Sequence, residues 1–105
     1  MIPPEWSDEL KERVGNEAAS LMLHLGDHAP DLDDHVEPML GANGHLYFRT
    51  EDNVFTVRGE MAFRWSWTVG GDFTVAGYVL GRRIATVDVP RDAAPPKKRA
   101  AARWN

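Results

Sequence analysis

Residues 61–80 read MAFRWSWTVGGDFTVAGYVL and carry the clearest structural pattern in the chain. Apolar and polar side chains alternate through the start of this stretch, which is typical of a strand with one buried face. A three-residue loop at the two adjacent glycines would place Trp67 opposite Phe73. The same register places Trp65 opposite Val75 and keeps the large apolar side chains together. The stretch therefore predicts an antiparallel hairpin with a buried face that contains tryptophan.

A second hairpin is predicted upstream of the first. Residues 45–51 alternate in the same way. A two-residue turn at Asp52 and Asn53 suits a type I′ geometry, because both residues tolerate a positive φ. This turn would pair Phe48 with Val57. The two apolar side chains would then lie on one face, as a half-buried sheet requires.

The number of strands is expected to be four or five. Residues 83–89 predict a last strand, which Pro90 would end because proline has no N–H for the ladder. Gly59 marks either a tight turn or a kink, and this choice decides the number of strands. Residues 27–44 contain several prolines and glycines and are expected to be irregular.

An amphipathic helix is predicted before the sheet, from about Ser7 to Leu25. Ser7 is suited to cap its first turn, and Gly26 is suited to end it in a left-handed conformation. Between them an apolar stripe recurs every three or four residues and consists of Leu10, Val14, Ala18, Leu21 and Leu25. We therefore expect an α+β fold, in which one N-terminal amphipathic helix packs on a four- to five-stranded antiparallel meander sheet.

The chain has 105 residues, a length that suits one domain, and we place that α+β domain at residues 1–90. Residues 91–105 form a basic C-terminal tail that is rich in proline and alanine. Charge is unevenly distributed, since residues 1–60 carry a net charge of −9 and residues 61–105 a net charge of +5. The acidic part is therefore expected to attract basic partners, and the tail to attract acidic ones.

The composition excludes several classes of protein. There is no cysteine, which excludes disulfide bonds and thiolate metal sites. No apolar run approaches the roughly 20 residues of a membrane span, and the first residues do not resemble a secretion signal. We expect a cytoplasmic protein that does not associate with membranes and that lies in the host cytoplasm or the virion if a phage encodes it.

No catalytic motif is present. The glycine pairs lie at predicted strand turns rather than between a strand and a helix, so they do not indicate a dinucleotide site. The lysines are Lys11, Lys97 and Lys98, and none of them follows a glycine-rich loop. None of the serines lies in the strand–turn–helix context of a nucleophile elbow. The chain is therefore not expected to be an enzyme or to hold a cofactor.

The leading interpretation is a non-enzymatic protein–protein interaction module. In size, acidity and lack of catalytic motifs the chain resembles small accessory, inhibitory or assembly proteins of phages and bacteria. Acidic side chains would attract a basic surface of the partner, and the uncovered part of the sheet would add apolar contact. Candidates for this apolar sheet patch are Phe55, Val69, Tyr78, Leu80 and Ile84. The predicted partner-binding residues of the helix and the following loop are Trp6, Glu9, Glu12, Glu17, Asp31, Asp33, Asp34 and Glu37.

The C-terminal tail would provide a second attachment. Its candidate contact residues are Lys97, Lys98, Arg99, Arg103 and Trp104. The tail could bind an acidic protein surface, including the acidic loop of a second copy, or it could remain solvated. Contact with nucleic acid is less favoured, because no aromatic platform is interleaved with the basic residues. A homo-oligomer is therefore compatible with the sequence.

Two other functions stay open. If the sheet curls around the helix, Trp65, Trp67 and Tyr78 could line a pocket for a small hydrophobic ligand. Imidazole and carboxylate groups could instead bind a metal ion, with His24, His28, Asp31 and His35 as the candidate ligands.

Overall fold

A computed structural model describes residues 2–29, 36–70, 72–85 and 87–95 of the chain. Within these ranges the chain forms α1 (Asp8–Leu25), β1 (Glu37–Leu40), β2 (Leu46–Arg49), β3 (Asn53–Arg58), β4 (Met61–Trp67), β5 (Phe73–Val79) and β6 (Arg82–Ile84), with short 3₁₀ helices at Gly26–His28 and Arg91–Ala93. The predicted α+β class is confirmed, since α1 packs on one face of a single antiparallel sheet. No helix in these ranges has the length and apolar character of a membrane span.

Helix α1 begins and ends where the sequence predicts. The Ser7 hydroxyl accepts a hydrogen bond from the Leu10 backbone N–H (3.1 Å), and Gly26 ends the helix at a φ of +55°. The predicted stripe faces the sheet, and its fully buried side chains include Leu21 and Leu25. The N-cap, the glycine at the C-terminus and the apolar stripe agree with the prediction, because each depends only on residues that are close in the sequence.

The sheet follows the chain order without a crossover and has six strands within the described residues. It has more strands than predicted, because β1 lies in the segment that the sequence predicts to be irregular. In β1, Pro38 lies opposite Phe48 and Leu40 lies opposite Leu46. Proline is tolerated there because an outward-facing position of an edge strand needs no N–H. Gly59 (φ +62°) forms a tight turn between β3 and β4 rather than a kink.

The register of β4 and β5 is the predicted one. Trp67 lies opposite Phe73, and Trp65 lies opposite Val75. Large side chains on one face fix this register, because a slip of one residue would turn all of them to the other face.

The turn between β2 and β3 differs from the prediction. Phe48 pairs with Phe55 rather than with Val57, so the turn lies at Glu51 and Asp52. Neither of these two residues has a positive φ, which excludes a type I′ turn. The predicted and observed registers differ by two residues and keep the same side chains on the same face. The alternation in the sequence therefore could not separate them.

The sheet buries apolar side chains on both faces. Phe48, Phe55 and Tyr78 lie on the face under α1 and pack with its apolar stripe. The opposite face, called the second face, carries Phe63 and Trp65 in a separate cluster. The helix therefore covers the face that is opposite to the large side chains of β4.

The second face is covered by the chain itself. Residues 87–95, called the strap, lie against this face instead of continuing the sheet, so the predicted last strand is wrong beyond Ile84. Val87 rests on Gly77, where an added Cβ would lie 2.7 Å from a Val87 methyl carbon. Ala93 is fully buried in the cluster of this face. The alternating valines indicated a buried face correctly, but such a pattern does not distinguish a paired strand from a covering segment.

Polar contacts hold the strap at Asp92. Its carboxylate accepts hydrogen bonds from Arg58 Nη2 at both oxygens (3.0 Å each), and His45 Nε2 lies 3.4 Å from one of them. Its backbone carbonyl accepts hydrogen bonds from the Asn43 amide (2.6 Å) and the Tyr47 hydroxyl (3.2 Å). The hydrogen bonds from Arg58 hold the pKa of Asp92 below its ordinary value. The strap is therefore held by both apolar and ionic contacts.

Candidate interaction surface

His24 joins the end of α1 to the turn between β5 and β6. Its Nδ1 atom accepts a hydrogen bond from the Leu80 backbone N–H (3.1 Å), and its carbonyl oxygen accepts one from the Gly81 N–H (2.8 Å). Both N–H groups belong to the central residues of a two-residue turn and have no partner within the hairpin. His24 itself is only 7% exposed. One buried residue thus accepts the hydrogen bonds of both free N–H groups in the turn and attaches the turn to the helix.

Two glycines let the helix end and the turn approach each other closely. A Cβ added at Gly26 would lie 2.8 Å from the Cα of Gly81, which is closer than real Cβ contacts. Both residues also have a positive φ, +55° at Gly26 and +82° at Gly81, which glycine adopts without strain. This joint therefore depends on glycine at both positions, because a side chain at Gly26 would push the two backbones apart and any other residue at either position would be strained.

Leu80 occupies a backbone conformation that leucine disfavours. Its φ is +49°, and among the described residues it is the one non-glycine residue with a positive φ. Together with Gly81 it occupies the centre of the hairpin turn, where Asn-Gly is a preferred pair. Its side chain is 63% exposed. Leucine at this position therefore strains the backbone and places apolar surface in water at the same time.

Large aliphatic side chains lie exposed around this joint. Met22 and Leu23, which directly precede His24, are 40% and 60% exposed, and Leu80 is bonded to His24 from the hairpin side. Met22, Leu23 and Leu80 are called the apolar tip. The sequence predicts that Leu80 is exposed. For Met22 and Leu23 the only signal of exposure is that they lie outside the apolar stripe of α1.

The other end of α1 is acidic. The exposed acidic residues near its start, called the acidic half, are Glu5, Asp8, Glu9 and Glu12. None of them forms an ion pair with another described residue. Glu17 differs, because it is half-buried and pairs with Arg13 (3.3 Å). Among the described residues of α1, the exposed carboxylates without an ion pair therefore lie in its first two turns, and Glu5 lies just before them.

The other predicted partner-binding residues are placed apart or are not described. Trp6 is half-buried and packs against the core under α1. Glu37 is exposed at the start of β1. The loop residues Asp31, Asp33 and Asp34 and the tail residues Lys97, Lys98, Arg99, Arg103 and Trp104 lie outside the described residues.

The predicted apolar sheet patch is only partly exposed. Phe55 and Tyr78 are buried under α1, and the Tyr78 ring centre lies 4.9 Å from that of His28. Val69 is fully exposed in the loop between β4 and β5, at the other end of β5 from Leu80. Ile84 is half-buried. Of these residues, Leu80 is therefore the exposed one that lies at the joint with the end of α1.

The residues of the predicted ligand pocket are not brought together. Trp65 and Trp67 lie on the second face, and the strap covers Trp65. Tyr78 belongs to the cluster under α1. Because the sheet separates the two faces, these three side chains do not line a common cavity.

The predicted metal ligands are described only in part. His24 uses its Nδ1 atom to accept the Leu80 N–H, and His28 packs its ring against Tyr78. Asp31 and His35 lie outside the described residues. Within the described ranges, no group of three histidine or acidic side chains is placed to hold a metal ion.

The comparisons with known proteins give no functional precedent for this surface. No family model matches the chain, and comparisons with curated proteins and with solved structures gave no significant match. The function therefore has to be argued from the surface itself.

Proposed function

We propose that the chain is a non-enzymatic protein–protein interaction module that contacts its partner through the apolar tip. The observation that carries this proposal is Leu80, an exposed leucine held at a positive φ. An asparagine at this position would relieve the backbone strain and remove the exposed apolar surface. A residue that is unfavourable for both folding and solubility is expected at a contact site rather than at a purely structural turn.

The apolar tip is suited to binding because it is rigid before a partner arrives. The hydrogen bonds of His24 and the close approach of Gly26 to Gly81 hold the helix end against the turn. A preorganised contact loses less conformational entropy on binding than a mobile one does. Met22, Leu23 and Leu80 thus offer exposed apolar side chains near one end of α1, and apolar contacts of this kind are found at the centre of protein interfaces.

The acidic half of α1 would guide the approach of the partner. The helix has 18 residues, so its ends lie about 27 Å apart at 1.5 Å per residue. The acidic half and the apolar tip therefore occupy opposite ends of one helix. Carboxylates without ion-pair partners accelerate encounter with a basic surface more than they strengthen the final complex. This arrangement favours a partner protein that has a basic surface some distance from an apolar pocket.

The size of the chain suits an accessory role. A single small domain without a catalytic motif can act as an accessory, inhibitory or assembly protein, and we propose this role in the cytoplasm of a bacterium or of a phage-infected cell. Its arginine-rich, lysine-poor basic residues are compatible with such a source.

The proposal is tested by capturing the partner from a lysate of the source organism and measuring the bound mass by native mass spectrometry. The variants L80N and L23Q are expected to reduce the captured complex by at least about tenfold, because each removes an apolar contact. The free energy of unfolding of L80N is expected to rise by about 0.5–1 kcal/mol, because asparagine tolerates the positive φ.

The variant V69N is the matched control, since it removes an aliphatic side chain that is even more exposed and lies at the other end of β5. It is expected to capture the partner as the wild type does. The proposal would be contradicted if L80N and L23Q captured as much partner as the wild type does. It would also be contradicted if V69N lost as much capture as they do, or if the wild-type chain stayed monomeric in the lysate.

A further inference from the structure

A groove of about 450 Å³ lies beside the apolar tip, along β6. The residues that line it come from the end of β5, the turn and β6, and they are Val79, Leu80, Arg82, Arg83, Ile84 and Ala85. All of them except the two arginines are aliphatic. The groove therefore combines apolar walls with two guanidinium groups.

The outer edge of β6 is open to an added strand. Val79 and Arg82 flank the two-residue turn as its hydrogen-bonded pair, so the backbone N–H and C=O of Arg83 face away from β5. The opposite edge of the sheet differs. Gly41 donates its N–H to the carbonyl oxygen of His45 (2.8 Å), just before β2, so by alternation the backbone of Pro38 faces outward, and it has no N–H to offer. The described sheet thus lacks one N–H donor at the β1 edge, at Pro38, and has the backbone N–H and C=O of Arg83 facing outward at the β6 edge.

The two arginines flank this edge from different faces. Arg83 lies opposite Tyr78, which packs under α1, whereas Arg82 lies opposite Val79. Successive strand residues direct their side chains to opposite faces. Both arginines are exposed, and neither is paired with a carboxylate among the described residues. An extended segment beside β6 could therefore place one carboxylate against each arginine.

We propose that this groove binds an extended, acidic segment of the partner protein. An aliphatic side chain of the segment fills the apolar part of the groove, its backbone bonds to Arg83, and its carboxylates pair with the two guanidinium groups. The inference rests on the proposed function, because it names a second contact of the same interaction module, next to the apolar tip.

Charge and composition favour this occupant over two others. A second copy that paired its own β6 with this edge would bring four arginines together, and like charges across strands are destabilising. Single-stranded nucleic acid binds through several phosphates and through stacking on aromatic side chains. The groove offers two cations and no aromatic ring. A second copy and a nucleic acid are therefore outcomes that the test has to separate.

The test measures the fluorescence anisotropy of the labelled peptide Gly-Glu-Glu-Leu-Glu-Glu-Gly mixed with the full chain. The wild type is expected to bind this peptide and not a version in which lysine replaces each glutamate. R83E is expected to weaken binding by at least about tenfold, and R82E by a similar factor. K11E makes the same change in net charge on α1 and is expected to stay within about twofold of the wild type. Thermal unfolding of each variant checks that its fold is retained.

Any of the following results would overturn the inference. Equal binding of the lysine peptide, or unchanged binding by R83E, excludes recognition of carboxylates at this edge. Tighter binding of an oligothymidine than of the acidic peptide assigns the groove to nucleic acid. A dimer that R83E abolishes assigns it to a second copy. If the acidic peptide fails to bind while partner capture still depends on Leu80, the inference fails and the proposed function stands.

Discussion

At the scale of a single residue, His24 accepts a hydrogen bond from the turn between β5 and β6 at the end of α1. Its position near a second histidine and several carboxylates suggests a metal ligand, and this remains a hypothesis for the undescribed loop. In the structure its Nδ1 atom is an acceptor for a backbone N–H that comes from 56 residues further along the chain. No local sequence pattern indicates such a contact, because the donor is a backbone N–H, which every residue except proline carries.

Replacement of His24 with alanine is expected to lower the free energy of unfolding by about 1–3 kcal/mol, because the Leu80 N–H loses its acceptor. H24N is the control, since the amide oxygen of asparagine can take the place of Nδ1. We expect H24N to retain most of the stability that H24A loses. Urea denaturation measures both variants, and hydrogen exchange of the Leu80 amide reports on the bond. An H24N variant as unstable as H24A would show that ring packing matters instead of the acceptor.

Asp92 makes the attachment of the strap depend on pH. Its pKa is lowered from the ordinary value of 3.8, chiefly by the hydrogen bonds from Arg58. A carboxyl group with a lowered pKa stabilises the folded state above its ordinary pKa, and this contribution is lost as the pH falls through the lowered pKa. The stabilising contribution of the Asp92 charge should therefore be present at neutral pH and lost in acid.

The wild type is expected to melt at a higher temperature than D92N at neutral pH, and the difference is expected to shrink once the pH falls below 3.8. Melting curves of both proteins between about pH 7 and about pH 3 measure this difference. All other carboxyl groups titrate in both proteins, so the comparison isolates Asp92. A difference that stays constant over the whole range would show that the charge of Asp92 does not hold the strap.

At the scale of elements, the strap depends on a missing side chain in β5. Gly77 lies in the middle of a strand, where a larger residue would normally pack better. The methyl groups of Val87 occupy the space that a Cβ at Gly77 would fill, and Met61 closes it from another side. The absence of a side chain at Gly77 therefore lets Val87 of the strap pack directly against β5.

G77A is expected to lower the free energy of unfolding by about 1–3 kcal/mol, because the added methyl group collides with Val87. V87A removes the colliding methyl groups, so the double variant G77A/V87A is expected to lose less stability than the sum of the two single variants. A double-mutant cycle by chemical denaturation measures this coupling. Strict additivity of the two losses would mean that the strap does not rest on Gly77.

The elements that could be predicted from the sequence are those with local signals. The Ser7 cap and the Gly26 stop defined α1, and the large side chains of β4 and β5 defined their register. Strand β1 could not be predicted, because Pro38 is compatible with a strand only if that strand lies at an edge. The path of the strap could not be predicted either, because its alternating valines fit both a paired strand and a covering segment.

At the scale of the whole molecule, the candidate surface could be predicted only in fragments. The acidic residues of α1 and the exposure of Leu80 followed from the sequence. The apolar tip and the groove did not, because they exist only when the end of α1 meets the turn between β5 and β6. A surface built from distant segments is fixed by packing rather than by any local pattern.

The meander order of the sheet also sets the order in which the molecule can assemble. Each strand pairs with its neighbour in the chain, so the hairpins close short loops and are expected to form early. The hydrogen bond between His24 and Leu80 and the one between Asn43 and Asp92 close loops of 56 and 49 residues and are expected to form late. A nascent or partly folded chain would thus hold a sheet but no assembled tip. Under the proposed function, recognition of the partner would be restricted to chains that have completed folding.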